Sequence, residues 1–436
     1  METGKKALKI YIPEHVPSLN KGEEAIVQGI LEGFRLCGIQ PEISIYSHTP
    51  EIDRQRFAGS FNVVDGITFR PTKSDLIISR IISAVSIWGE HLLFLIFWRL
   101  FGKKALFFFR KSNWKSYAES DLILVGHDGA ISDMNLLFAI YVKWLRKRSA
   151  IFGGGFRKFR FRLSEKIAAY ALKNVDAVVV RQKASYEYLV SLGVKGKQVE
   201  WKPDPAFLLK PAEQKTVSRM IETENLTDIR APLIGMVVVK GSIIFDKCFT
   251  AIPDIQEKYM AHVRFMAKIC EQVIEYTNGK IVFLPHSIEP AGIFDYMSRD
   301  DRICARDVYA QMKKNRENVI LIENEYNAAT LKGFISSLDF IVSERLHSLI
   351  GAASVGTPFI AVTVEEDVRS QDIISETVGR KDLIFNINAP QIDQFMSLFK
   401  QKYEDRKQIR KELTRASDQI SQNCLSAFRT FVNGIQ

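Results

Sequence analysis

Short apolar runs alternating with stretches of helical periodicity set the plan of this chain. Leu8 to Ile12 reads as a first strand. After a polar loop, Ala25, Ile26, Ile30, Leu31 and Phe34 recur at helical spacing and stop near Cys37-Gly38. Glu42 to Tyr46, Asp121 to Val125, Ala150 to Phe152 and Val175 to Val180 are further strands, with a helix over Ser185 to Leu192. The second half restarts the alternation. Strands fall at Leu233 to Val239, Ile281 to Leu284, Val319 to Ile322, Phe340 to Val342, Phe359 to Val362 and Leu383 to Ile387. Between them lie helices over Tyr259 to Tyr276, Asp300 to Lys314 and Leu349 to Val355, and a charged amphipathic helix runs from about Gln391 to Val432. This alternation predicts an α/β fold of two Rossmann-like parallel-sheet lobes facing a cleft. The expected boundaries are an N-terminal lobe over 1–210, a linker over 211–231, a C-terminal lobe over 232–390 and a C-terminal helix over 391–436.

One stretch breaks the pattern. Ile77 to Phe109 is apolar and aromatic, but Arg80, Glu90, Arg99, Lys103 and Lys104 interrupt it. No uncharged run reaches the roughly 18–20 residues a bilayer span needs. Two readings stand for the insert at 77–116. It is an interfacial segment whose aromatics enter a headgroup region while Arg99, Lys103, Lys104, Arg110, Lys111 and Lys115 meet anionic lipid, or it is a buried helix pair with a solvated basic edge.

Charge changes the picture at that point. The net charge of +10 is concentrated: Arg99 to Lys166 holds 15 Lys and Arg against 5 Asp and Glu. Such a region suits an anionic partner, whether a membrane surface, a phosphorylated substrate or nucleic acid, and no nucleic-acid motif accompanies it. Five scattered cysteines without a CxxC pair fit reduced thiols in a cytoplasmic compartment and argue against a zinc site. The first residues carry no long apolar core, so no signal peptide is expected.

Candidate chemistry gathers at strand ends. Glu344, Arg345 and His347 interrupt apolar sequence in a turn after the Phe340–Val342 strand, and small residues from Leu349 to Val355 form the next helix. In open parallel sheets, ligands bind at such carboxyl ends. Arg181 closes another buried strand, His286 follows a third, and Gly126-His127-Asp128-Gly129 and Gly153-Gly154-Gly155 follow two more without the GxGxxG spacing of a dinucleotide site. Asn20 with Glu23 three residues on resembles a capping box, leaving backbone N–H groups for a ligand. No cluster has metal-ligand spacing.

Four of these pieces together resemble the polysaccharide pyruvyl transferase family over roughly residues 10 to 390. Asn20-Lys21-Gly22-Glu23-Glu24-Ala25 is similar to its Asn-x-Gly-Asp-Glu-Ala helix entry. Val179-Val180-Arg181 with Ser185 and Leu192-Gly193-Val194 is similar to its strand-to-Arg-to-Ser segment, and Pro203-Asp204-Pro205-Ala206-Phe207 to its Asp-Pro-Ala-Phe stretch. Arg345-Leu346-His347 with Ala352-Ala353-x-x-Gly-x-Pro resembles its Arg-Leu-His motif, the most specific of the four. Departures are Glu23 for Asp, Lys21 for a small apolar residue, the His127-Asp128 interruption of a glycine run, and Val364 to Arg369, which lacks a frequent lysine.

The resemblance implies a two-lobed fold like that of GT-B glycosyltransferases and transfer of pyruvate from phosphoenolpyruvate to sugar hydroxyls, with no further cofactor. Arg181 and Arg345 would bind the donor and His347 would act as acid and base, since phosphoenolpyruvate needs fixed cations and a ketal needs protons moved. Asn20, Gly22, Glu23, Asp128 and His286 are the candidate contacts to acceptor or phosphate. The acceptor would be a saccharide, lipid-linked if the insert meets a membrane. Helix capping explains Asn20 to Glu23 equally well, a salt bridge explains Arg181, and a satisfied loop histidine explains His286. Two other functions remain: a GT-B glycosyltransferase using a nucleotide sugar, and a non-catalytic saccharide or lipid binder.

Overall fold

The structure is a computed structural model describing residues 7–69, 77–126, 130–159, 161–194, 199–227, 229–240, 247–249, 252–289, 300–388 and 390–435. It divides into two compact units. The first comprises Met1–Ser18, Ile26–Pro205 and Asn423–Gln436, the second Leu19–Ala25 and Ala206–Gln422.

In the first unit, the strands are β1 (Lys9–His15), β2 (Glu42–Tyr46), β3 (Asn62–Val64), β4 (Leu122–Leu124), β5 (Ala130–Ile131), β6 (Arg148–Phe156), β7 (Ala177–Val180) and β8 (Val199–Trp201). They pair in parallel in the order β3-β2-β1-β4-β6-β7-β8, with the two-residue β5 on the end of β6. Gly153-Gly154-Gly155, expected after a strand, instead lies inside β6. A φ of 74° at Gly153 and a register shift between Phe152 and Gly154 absorb the irregularity, which L side chains would resist.

The second unit repeats the plan with β9 (Leu233–Val237), β10 (Lys280–Phe283), β11 (Val319–Leu321), β12 (Phe340–Ser343), β13 (Phe359–Thr363) and β14 (Ile384–Asn386). The order β11-β10-β9-β12-β13-β14 is all parallel. The chain leaves β9 toward one edge and returns to β12 on its other side. That makes the carboxyl ends of β9 and β12 the topological switch point, where ligands of doubly wound sheets bind. Strands buried on both faces explain why they read as unbroken apolar runs: Ile341, Val342, Ile360 and Val362 are all buried.

Three boundaries differ from expectation. Residues 211–231 are not a linker, because Gln214–Thr223 is a helix with Val217 and Met220 buried in the second unit. The C-terminal helix is two, Ile392–Glu404 and Arg406–Ile435. From Asn423 the second belongs to the first unit, where Phe428 packs on Phe34 and Phe152. The insert at 77–116 is a long helix, Ile77–Phe101, a 3-10 turn, Gly102–Phe107, and the start of a short helix, Ser112–Glu119, whose Trp114 stacks on Phe94; only the inner side of this pair is buried. The first helix is long and apolar enough to cross a membrane.

Candidate functional site

At the switch point of the second unit, β12 ends on Ser343 and the helix Leu346–Val355 begins three residues earlier than its sequence suggests. Ser343 Oγ accepts from the Arg345 backbone N–H at 2.9 Å, and Ser348 Oγ donates to the Arg345 carbonyl at 2.7 Å. Two hydroxyls thus shape the turn. Arg345 becomes the N-cap residue, and His347 stands in the first helical turn, half-buried.

Arg345 is paired with Asp301, not with its neighbour Glu344. Its Nε and Nη2 donate to the two Asp301 oxygens at 3.2 and 2.6 Å, a fork-to-fork arrangement. Asp301 also accepts from the backbone N–H groups of His286 and Ser287 at 3.0 and 2.9 Å. Burial raises its carboxyl pKa, and Arg345 and these N–H groups pull against that rise. Glu344 turns inward to the buried His262, at 2.6 Å, and its other oxygen accepts from the Val239 N–H at 2.9 Å. One carboxylate orients the arginine while the other clips the loop after β9.

The helix entry of residues 20–24 joins the same place. Asn20 bridges Ser287, the Lys21 N–H donates to the His286 carbonyl at 2.9 Å, and the Ile288 N–H donates to the Leu19 carbonyl at 3.1 Å. Asn20 Oδ1 caps the helix by accepting from the Gly22 N–H at 3.1 Å, and Asn20 Nδ2 donates to Glu23 at 3.0 Å. The Lys21 and Gly22 N–H groups, expected to await a ligand, are therefore spent on fold and cap. Gly22 matters by what it lacks: a Cβ there would lie 2.3 Å from His347 Nδ1. The motif around Gly22 and the motif around His347, over three hundred residues apart in sequence, thus meet side by side.

Around this contact is a small cavity lined by Lys21, His286, Lys332 and His347, with Ala25, Ala206, Leu209, Ala328, Ile335 and Gly351 completing the wall. Lys21 is buried between Glu24 at 3.4 Å and Glu325 at 3.1 Å. Lys332 is buried on the helix Ala328–Ser336 and donates to the Leu209 carbonyl at 2.5 Å; burial lowers its pKa to about 7. His286 is driven down to about 3, first by burial, with Arg345, His347 and Lys21 adding repulsion. It is a neutral ring at physiological pH, able to hydrogen-bond but not to donate a proton as an acid. The site is therefore partly dry, holds its cations Lys21 and Arg345 against carboxylates, and contains one half-exposed imidazole.

Other candidates fall elsewhere. Arg181 belongs to the first unit, where it is wholly buried and donates to Asp204 at 2.6 Å, tying the strand-to-Arg segment to the Asp-Pro-Ala-Phe segment. Asp128 lies outside the described residues. Among the described residues, no three His, Cys, Asp or Glu side chains gather as a metal site. Sequence reasoning missed Asp301, Glu325 and Lys332. Only Lys332 carried a signal, a lone charge in an otherwise apolar helix from Ala328 to Ile335.

The model of the polysaccharide pyruvyl transferase family matches residues 20–366. The amylovoran biosynthesis protein AmsJ of Erwinia amylovora is 28% identical over 215 residues, 49% of this chain and 47% of that protein. The match thus spans about half the length of that relative. Among solved structures, S. aureus MnaA with UDP aligns at a TM-score of 0.57 and 13% identity, covering 98% of this chain and 96% of that one. Anabaena HepE in complex with UDP and glucose aligns at 0.55 and 11% identity, covering 98% and 99%. UDP-GlcNAc 2-epimerase of Methanocaldococcus jannaschii aligns at 0.54 and 12%, covering 91% and 92%. At these identities the likeness is one of fold, the GT-B-like pairing of parallel-sheet α/β units.

Proposed function

This chain belongs to the polysaccharide pyruvyl transferase family, and from that premise we propose that it transfers pyruvate from phosphoenolpyruvate to two hydroxyls of a saccharide as a ketal, in the synthesis of a cell-surface polysaccharide. The observation that carries the reading is the meeting of Gly22, His286, Arg345 and His347 at the switch point of the second unit. A small trianion needs directional cations in a partly dry site, and Arg345, held by Asp301, has its guanidinium orientation fixed before the ligand arrives.

In this mechanism His347 donates a proton to the methylene carbon of phosphoenolpyruvate, and C2 takes on the cationic character that a first sugar hydroxyl attacks. The base so formed on His347 accepts that hydroxyl's proton. Phosphate then leaves C2, its charge met by Arg345 and Lys21, and a second hydroxyl closes the ketal while its proton departs with phosphate. Neutral His286 serves as a hydrogen-bonding wall. Arg181 holds the first unit's motif together through Asp204.

The fold likeness to proteins solved with UDP supports a second reading, a nucleotide-sugar transferase. Phosphate release from phosphoenolpyruvate across a panel of lipid-linked and nucleotide-linked saccharides separates the two. Turnover, with thermal stabilisation by phosphoenolpyruvate and not by UDP- or GDP-sugars, is the expected result. Stabilisation by nucleotide sugars alone, with no phosphate released, would overturn it.

A further inference from the structure

The helix Ile77–Phe101 is predominantly apolar, with apolar residues on its inner and outer sides, yet packs on one side only. On the inner side His91, Phe94 and Leu95 are buried in the first unit's core. Trp98 Nε1 donates to the Leu145 carbonyl at 3.1 Å, and the Tyr141 hydroxyl donates to the His91 carbonyl at 3.1 Å. On the outer side Ile78, Ile82, Val85, Leu92, Ile96 and Leu100 follow one another at steps of one helical turn, or two between Val85 and Leu92, and each is between 44 and 73% exposed. A helix of this kind is expected to be covered on both sides, and a stripe of aliphatics in water marks a docking surface.

Charge identifies what covers it. Arg99, Lys103, Lys104 and Arg110 stand exposed where the stripe ends, and Arg99 reaches the carbonyl of Trp144, itself 53% exposed. Aliphatics edged by arginine, lysine and an indole are complementary to a bilayer interface with anionic headgroups, where each cation near the surface adds to the apolar attraction. The inner-side bonds exclude a crossing: to span, the helix would strip His91, Phe94 and Trp98 from the core they help to build.

We propose that this helix and the turn after it seat the first unit on an anionic lipid surface, lying along the interface and half-embedded in it. The docking does not depend on which group the second unit transfers, and phosphate release in solution is measured separately from it.

The test is sedimentation of the full-length protein with vesicles of phosphatidylcholine, with and without phosphatidylglycerol. Binding is expected with the anionic vesicles at low salt, falling as salt rises. Ile82→Ser with Val85→Ser removes exposed apolar surface only, so it should keep the melting temperature and weaken vesicle binding by about tenfold. Lys103→Glu with Lys104→Glu should weaken binding and flatten its salt dependence. No binding to anionic vesicles at low salt would overturn the proposal. So would binding that both variants leave unchanged, or self-association that the Ile82→Ser, Val85→Ser variant abolishes in the absence of vesicle binding. Resistance of the bound protein to extraction by high salt and alkaline carbonate would indicate a span instead, and also overturn it.

Discussion

Gly22 and His347 form a contact whose tolerance is close to zero. Because a Cβ on Gly22 would meet His347 Nδ1 at 2.3 Å, the Gly22→Ala protein must displace the imidazole or the helix start. We expect a loss of about 1–3 kcal/mol in stability and a larger loss of transfer. The decisive arm is the cycle with His347→Ala. Removing the ring removes the clash, so Gly22→Ala should cost little in that background, whereas equal costs in both backgrounds would place the strain elsewhere. Arg345 behaves differently. Truncating it leaves Asp301 as a buried carboxylate with only two N–H partners, so Arg345→Ala should destabilise the second unit by roughly 3–5 kcal/mol as well as abolish transfer. Arg345→Ala with Asp301→Asn should regain much of that stability and none of the activity; recovery of both would deny Arg345 a role with substrate. Both Arg345 and His347 were legible in the sequence, as charge interrupting apolar residues after a strand. Asp301 and Glu325 were not, because a partner brought in by folding leaves no local pattern, and Lys332 showed only as a lone charge in an apolar helix.

Among the elements, the closing helix Arg406–Ile435 shows how sequence reading reaches its limit. Its amphipathic repeat is plain, yet nothing in the repeat says that its last residues belong to the first unit's core. There Phe428 stacks on Phe152 with centroids 4.9 Å apart and meets Phe34 edge-on at 5.3 Å. Gly33 is the matching concession, since a Cβ there would come within 2.6 Å of the Phe428 ring. Phe428→Ala should therefore lower stability by about 3–5 kcal/mol, read as a drop in the denaturant midpoint, although it is the ninth residue from the end of the chain. A change within a few tenths of a kcal/mol would mean that the helix end does not hold the core. The strands themselves were the easy part. Parallel strands covered on both faces must be continuously apolar, so β9, β10, β12 and β13 were visible within one or two residues of their ends. The helix Gln214–Thr223 was missed because only Val217 and Met220 face inward, leaving a composition that reads as a linker.

Across the whole molecule, burial of ionisable groups sets a pH dependence with a definite sign. His91 is enclosed by Trp114, Tyr117, Phe138 and Tyr141, and burial lowers its pKa to about 4; His286 in the second unit is lowered to about 3. Both rings are neutral when folded and gain a proton near 6.5 when unfolded. Between that value and their folded values the unfolded chain binds more protons, so stability falls as pH falls through 6.5 toward 4. Lys332, lowered to about 7, acts in the same direction at higher pH. Its proton is held by the unfolded chain and released by the folded one from about 7 to 10.5, so stability rises with pH across that window. Glu24 and Asp301, whose carboxyls burial pushes up, oppose the acid limb by favouring the folded state when protonated. His48, which burial also lowers, joins the two rings below 6.5, so three histidines outweigh the two carboxyls in count, and each tenfold change in proton affinity on folding corresponds to about 1.4 kcal/mol. The apparent urea midpoint should therefore climb from pH 5 to pH 8. His91→Phe, which keeps an aromatic ring in an aromatic cage, should flatten the limb below 6.5 by an amount on the order of 3 kcal/mol between pH 6.5 and 4. Lys332→Met should flatten the limb above 7 while leaving the acid limb as it was. A midpoint that falls between pH 5 and 8, or a His91→Phe protein with the unchanged acid limb, would show that these buried groups keep their protons on folding.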